Sequence, residues 1–173
     1  LKSIRQLEGY NIHFYEEPLP PTDVDGYARL RPASHLPLAT GEALYSAHDF
    51  KRLSDANGAD IWQPDLTKCG GLRVGNEIST LARVSHVRVS PHVWGGAVGL
   101  AAALHFSAAQ VPWPHTDNIP EPALLEYDQG DNALRDQILK TPISCVDGHL
   151  IVPSGPGLGI ELDWDIVNKF RVI

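Results

Sequence analysis

Five polar side chains in this sequence each follow an apolar stretch, and they are of the types that carry metal and acid–base chemistry. They are Glu16 in FYEEPLPP, Glu42 in LATGEALY, Asp65 in IWQPDLTK, His92 in VSPHVW and Glu126 in LLEYD. Taking a proton from the carbon next to a carboxylate puts negative charge on that carboxylate. A hard divalent cation held by carboxylate oxygens can absorb this charge, and a positioned side chain can take the proton.

Each of the five residues lies where a predicted strand ends. The apolar patterns predict strands within 10–18, 36–43, 59–65, 86–94 and, more weakly, 123–128. Helical patterns alternate with them at 1–10, 22–34, 46–58, 71–84 and 96–111. This alternation is typical of a parallel α/β sheet, in which the carboxyl ends of the strands form the reaction face. We therefore expect the five side chains to converge on one point.

Local sequence signals predict where helices begin and end, and they predict that the tail departs from the strand–helix alternation. Thr22 or Asp23 can cap the second helix, and Ser46, with Asp49 three residues later, predicts the start of the third, which Gly58 should stop. The tail, 143–173, reads as a hairpin around Asp147-Gly148 followed by a Gly/Pro-rich extension.

Composition argues against several classes of protein. The formal charge is −7 and no basic stripe is visible, so we expect no nucleic-acid partner. The longest apolar run, within 97–106, contains His105 and is too short to predict a membrane span. Cys69 and Cys145 form neither a metal-like pair nor a disulfide framework, which favours a cytoplasmic protein. The chain has no Met and opens in a helical pattern, so we expect a C-terminal piece of a longer protein.

Six motifs, in this order, resemble the mandelate racemase and muconate-lactonizing group of the enolase superfamily. They are YEEPLPP, LATGEALY, IWQPDLTKCGG, VSPHVWGG, LLEYD and DGHLIVPSGPGLGIELD. The resemblance covers nearly all of 1–173. It implies an α/β fold, the C-terminal part of a modified (β/α)7β TIM-like barrel carrying strands four to eight. The capping domain and the first barrel strands would lie outside this chain.

The resemblance also implies roles for the five residues. Glu16 matches the second and Glu42 the third of three Mg2+ ligands, the first being an Asp on a strand outside this chain. Asp65 and His92 match an acid/base dyad, in which the carboxylate fixes the imidazole tautomer and raises its basicity. Glu126 matches a carboxylate that hydrogen-bonds the substrate or its enediolate.

Each residue has a simpler interpretation. Glu16 and Glu42 could be solvated strand-end carboxylates, although two such charges about 4 Å apart cost on the order of 4 kcal/mol without a cation. Asp65 could cap the helix near Gly70, and His92 could be a core histidine.

Two neighbours of these residues are not expected to do chemistry. Strand side chains alternate, so Glu17 should play a supporting part beside Glu16. Lys68 is expected to be structural, with an electrostatic effect at most.

The leading hypothesis is a Mg2+-dependent dehydratase of sugar acids, acting on a small-molecule carboxylate through a metal-stabilised enediolate. The alternatives are a 2-hydroxy-acid racemase or epimerase of the same family, or a catalytically inert barrel fragment. Unpaired sheet edges predict a homo-oligomer or pairing with the rest of the barrel. The isolated chain is expected to be inactive, because a metal ligand and an acid/base Lys implied by the resemblance lie outside it.

Overall fold

The computed structural model describes residues 2–7, 9–114 and 121–172. Strands and helices alternate through the first two thirds of the chain. In order they are α1 (Lys2–Leu7), β1 (Tyr15–Glu16), α2 (Val24–Leu30), β2 (Leu38–Thr40), α3 (Ala47–Asp55), β3 (Ile61–Trp62), α4 (Gly71–Val84), β4 (Arg88–Val89), α5 (Ala97–Ala108), α6 (Ala133–Asp136), β5 (Cys145–Val146), β6 (His149–Leu150) and α7 (Trp164–Lys169). A short 3-10 turn, Arg31–Ala33, follows α2.

Strands β1 to β4 form one parallel sheet in the order β1-β2-β3-β4. Glu16 lies opposite Ala39, Ala39 opposite Ile61, and Ile61 opposite Arg88. These four residues therefore form a row whose side chains face the same side of the sheet. The parallel order also brings the carboxyl ends of all four strands to one edge, as the α/β prediction requires.

Helices α2 and α3 begin where the sequence predicts them to begin. The Asp23 carboxylate accepts a hydrogen bond from the Gly26 N–H at 2.9 Å, and the Ser46 hydroxyl accepts one from the Asp49 N–H at 3.3 Å. These bonds satisfy N–H groups that have no partner within the helix.

The end of α3 differs in one detail from the prediction. Asn57, with φ 50°, takes the left-handed position that glycine often fills, and Gly58 is the next residue. The Gly58 N–H then bonds the Leu53 carbonyl at 3.0 Å and closes the helix.

The main core lies between the sheet and helices α3, α4 and α5. Trp62 and Phe50 are fully buried, with ring centroids 5.5 Å apart, and Ile78 and Phe106 complete the cluster from α4 and α5. Trp62 points to this helix layer, so its strand neighbours Ile61 and Gln63 point to the opposite face. Helix packing thus fixes which side chains can reach the site.

The prediction of a fifth parallel strand at 123–128 is wrong in this structure. The segment lies beside β4, but side chains hold it there: Arg88 Nη2 donates to the Pro122 carbonyl, and Ser90 Oγ donates to the Leu124 carbonyl, each at 3.2 Å. Pro122 has no N–H, and carbonyl oxygens that would join a backbone ladder are occupied by side chains. The fold is still α/β, with four parallel strands among the described residues.

The tail forms the predicted hairpin. Strands β5 and β6 are antiparallel, and Asp147 and Gly148 both have positive φ, 48° and 76°, as a tight two-residue turn requires. Farther along the tail, Ile166 and Val167 of α7 pack near Ala97 of α5. In the described ranges, the longest and most apolar helices still fall short of what crossing a membrane needs.

At Gly41, between β2 and Glu42, even a methyl side chain is predicted to destabilise the fold. Its φ is +137°, and an added Cβ would lie 2.8 Å from Phe50 Cε1 and 3.0 Å from the Gln63 nitrogen. Gly41→Ala should lower the free energy of unfolding of the intact protein by about 1–3 kcal/mol, because overpacking and backbone strain add there. Denaturant unfolding measures the change.

Gly95→Ala is the matched control, since no atom lies within 4 Å of its added Cβ. If Gly41→Ala is as stable as Gly95→Ala, the close approach described for Gly41 does not exist in solution.

Candidate active site

A buried histidine–aspartate pair forms the centre of the site. His92 Nδ1 lies 3.0 Å from Asp65 Oδ2, and the two side chains are only 4% and 5% exposed. His92 follows β4 and Asp65 follows β3, two adjacent parallel strands, so the sheet brings the two residues together as the sequence predicts.

Three further groups hold Asp65. Its Oδ1 accepts hydrogen bonds from the Thr67 N–H at 2.8 Å and the Thr67 hydroxyl at 2.6 Å, and Lys68 Nζ lies 3.4 Å from Oδ2. The N-cap of α4 is Gly70, so Asp65 does not cap that helix.

The pKa of Asp65 lies well below its usual range. Burial alone would raise it, but the hydrogen bonds from His92 and Thr67 and the charge of Lys68 outweigh burial. Asp65 is therefore an ionised acceptor, and His92 carries its proton on Nδ1 when neutral.

The other ring nitrogen of His92 faces two carboxylates. Its Nε2 lies 2.9 Å from Glu42 Oε2 and 3.6 Å from Glu126 Oε2. Burial lowers the pKa of His92, but the hydrogen bond to Asp65 and the charges of Glu126 and Glu42 outweigh it, so the pKa is raised. Nε2 is thus the ring atom that can give or take a proton beside these carboxylates.

Glu126 is held in place although its segment is not a strand. The Val93 N–H donates to Glu126 Oε2 at 3.1 Å. Burial raises the pKa of Glu126, the charges of Glu16 and Glu42 add to this effect, and His92 and the Val93 N–H partly oppose it.

Glu16 and its neighbour Glu17 have different surroundings. Glu16 is exposed and accepts a hydrogen bond from Gln63 Nε2 at 2.7 Å. Glu17, with φ 39°, accepts one from the Thr40 hydroxyl at 3.2 Å. Burial raises the pKa of Glu17, and the nearby charge of Glu42 raises it further. The structure therefore links Glu42, Asp65 and Glu126 to His92, whereas Glu16 contacts Gln63.

Two of these carboxylates have the donor atoms and the charges that a cation site needs. Glu16 and Glu42 offer only oxygen ligands, which suit Mg2+, and their charges add to burial in raising the pKa of Glu126, so both lie close to that carboxylate. Across residues 2–7, 9–114 and 121–172, however, no three His, Cys, Asp or Glu side chains are arranged to hold a metal ion. Glu16 and Glu42 therefore fit as part of a ligand set, which needs further ligands.

Comparison with known proteins identifies the family. Residues 1–166 match the family model described as enolase C-terminal domain-like. The chain belongs to this family. The match and the solved relatives also confirm the resemblance to the mandelate racemase and muconate-lactonizing group.

The names of several similar proteins refer to sugar acids or their lactones. The chain is 42% identical over 164 residues to D-galactarolactone cycloisomerase of Agrobacterium fabrum, covering 95% of this chain and 43% of that protein. It is 36% identical over 165 residues to D-galactonate dehydratase of Ralstonia pickettii, covering 95% and 42%. The crystal structure of 3,6-anhydro-D-galactonate cycloisomerase from Zobellia galactanivorans matches with a TM-score of 0.85 and 38% identity, covering 96% of this chain and 45% of that one. The chain thus spans less than half the length of these relatives.

Sequence reasoning missed Gln63 at this site. It is 4% exposed, yet its amide reaches the carboxylate of Glu16. The available signal was alternation: Gln63 is two residues before Asp65 and two after Ile61, in an otherwise apolar strand.

Asp65→Asn is predicted to lower the pKa of His92, because it removes both a charge and an ionised acceptor from Nδ1. NMR titration of the His92 ring in the intact, metal-free protein measures this. Asp55→Asn removes the same charge from the exposed end of α3 and should leave the His92 pKa unchanged. Equal His92 pKa values in Asp65→Asn and the unmodified protein would contradict the coupling.

Proposed function

We propose that the intact protein is a Mg2+-dependent dehydratase of aldonate or aldarate sugar acids. The proposal rests on the position of His92. Its Nε2 lies beside Glu42 and Glu126, and its Nδ1 is held by the buried Asp65. Enzymes that abstract a proton next to a carboxylate need a tuned acid/base of this kind. The kinship with D-galactonate dehydratase supports the same substrate class.

The geometry supports a proton-transfer role for His92 and supporting roles for Asp65 and Glu126. Asp65 holds the Nδ1–H tautomer, so Nε2 is the atom that exchanges protons with the substrate. In dehydration, a base removes the proton from the carbon next to the carboxylate, and protonated His92 gives its Nε2 proton to the departing β-hydroxyl. Water leaves, and the enol that remains becomes a 2-keto-3-deoxy acid. Glu126, held by the Val93 N–H, is placed to hydrogen-bond the substrate.

Glu16 and Glu42 are the residues that would hold Mg2+, together with ligands beyond those described. When bound, the cation would draw negative charge from the substrate carboxylate and so acidify the neighbouring C–H. Glu42 lies 2.9 Å from His92 Nε2, so one carboxylate is shared between the proposed cation site and the proposed acid/base.

A cycloisomerase is the second candidate. The relative at 42% identity is a galactarolactone cycloisomerase, and the Zobellia galactanivorans structure is a cycloisomerase as well. The same proton abstraction followed by departure of a ring oxygen would open a ring and keep every atom. The site residues suit both reactions, because the two differ in the leaving group.

A racemase or epimerase is the remaining alternative among enzymes, and an inert barrel is the alternative to catalysis. Racemisation needs a second acid/base on the opposite face of the substrate. By the resemblance, that second group is a Lys that lies outside this chain.

One experiment separates these functions. The intact protein is incubated with Mg2+ and a panel of aldonates, aldarates and their lactones in deuterated water, and products are analysed by mass spectrometry. Loss of one water supports the dehydratase, and an isomeric product from a lactone supports the cycloisomerase. Deuterium in otherwise unchanged substrate indicates a racemase or epimerase. No turnover across the panel overturns the proposal and leaves the inert barrel.

His92→Asn is predicted to reduce turnover of the active substrate by about 10²–10⁴-fold, the usual contribution of a positioned acid or base. His86→Asn is the control: His86 is exposed, away from the site, and at φ 55°, a conformation that Asn tolerates. Steady-state kinetics of both variants decide the matter. Turnover of His92→Asn equal to that of His86→Asn would exclude His92 from the chemistry.

We also propose that residues 1–173 alone are inactive and that the intact protein is a cytoplasmic homo-oligomer. The described residues supply two of the expected metal ligands, and Mg2+ demands near-octahedral coordination. Turnover by the chain alone, at the rate of the intact protein, would contradict the first part. Light scattering tests the second, and a monodisperse monomer would contradict it.

A further inference from the structure

Gln63 lies at the end of a strand and contacts Glu16, a proposed metal ligand. It directly follows β3, and its N–H donates to the Thr40 carbonyl at 3.0 Å, which continues the ladder one residue beyond the strand. Pro64, fully buried, follows and restricts Gln63 to an extended backbone. The side chain of Gln63 therefore starts from a fixed point on the sheet.

Glu16 is in the opposite situation. It ends a two-residue strand, its side chain is exposed, and Glu17 after it turns into the left-handed region. A free glutamate of this kind has several rotamers, and ordering it costs conformational entropy. The hydrogen bond from Gln63 Nε2 to Glu16 Oε1, 2.7 Å long, restricts that freedom and leaves the other carboxylate oxygen available.

The other end of the Gln63 amide shows that the residue is not optimal for stability. Its Oε1 is buried, and no hydrogen-bond partner for it occurs among the described residues. A buried acceptor without a donor destabilises a fold. An apolar side chain of the same length would avoid this cost, so the presence of Gln calls for another reason.

We infer that Gln63 is a positioning residue, which orients the Glu16 carboxylate for a divalent cation through the Nε2–Oε1 hydrogen bond. The inference rests on the proposed function, because that proposal assigns Glu16 to the cation. Groups that hydrogen-bond metal ligands set ligand orientation, and removing one typically weakens metal binding about 10- to 100-fold.

Two variants and one control test the inference in the intact protein. Gln63→Met keeps the length of the side chain and loses the donor, and Gln63→Asn keeps the amide but withdraws it from Glu16. Ser90→Ala is the control, since Ser90 directly follows the neighbouring strand β4, is similarly buried and donates to the Leu124 carbonyl. Isothermal titration with Mg2+ gives the affinity, and thermal unfolding without metal gives the stability.

Both Gln63 variants should bind Mg2+ about 10- to 100-fold more weakly, with kcat recovered at saturating Mg2+. Gln63→Met should unfold at or above the temperature of the unmodified protein, because it removes the unpaired acceptor. Ser90→Ala should leave Mg2+ affinity unchanged. A structural role would give the reverse pattern, lower stability with unchanged Mg2+ affinity, and would overturn the inference. Equal weakening by Ser90→Ala would also overturn it.

Glu16→Gln separates this inference from the proposed function. If Glu16→Gln loses Mg2+ while both Gln63 variants bind it normally, the inference about Gln63 fails and the cation site stands. If Glu16→Gln binds Mg2+ as the unmodified protein does, the assignment of Glu16 fails, and the inference fails with it.

Discussion

The hydrogen bond between His92 Nδ1 and Asp65 Oδ2 is the interaction on which the site depends. Both side chains are nearly inaccessible to solvent, and a buried charge without a partner is costly. Each residue therefore depends on the other, and on Thr67 and Lys68, which stabilise the Asp65 carboxylate. With Nδ1 held, only Nε2 can act, and it points at Glu42 and Glu126. The direction of the proposed chemistry follows from one buried contact.

The parallel sheet converts this contact into a site. Strands that run in the same direction end at the same edge, so residues far apart in sequence meet there. The helix layer determines which side chains face the site. Trp62 packs on Phe50 in the core, so its neighbour Gln63 points to the opposite side of the sheet. At this edge, burial and the charges of Glu16 and Glu42 raise the pKa of Glu17 and of Glu126. That electrostatic cost is the physical argument for a cation.

Sequence patterns predict the part of this arrangement that rests on periodicity and caps. They place four parallel strands and their helices, the cap at Ser46 and the meeting of Asp65 with His92. They fail where side-chain hydrogen bonds take the place of a backbone ladder. The segment that carries Glu126 has the pattern of a strand, but the side chains of Arg88 and Ser90 hold it beside β4. Helix α6 has four residues, too few for a periodic signal. Gln63 is missed because a single amide in an apolar strand draws attention only when alternation is used to place it on the same face as Asp65. The roles of the site residues remain predictions.

The central claim is that Glu16 and Glu42 share a cation beside the His92–Asp65 pair. A crystal structure of the intact protein with Mg2+ and an unreactive sugar-acid analogue tests it most directly. The account predicts Mg2+ about 2.0–2.1 Å from oxygens of both glutamates, with the analogue carboxylate at the cation and His92 Nε2 facing the carbon that bears the departing hydroxyl. A cation bound elsewhere, or a His92 ring turned away from both Asp65 and the analogue, would contradict it.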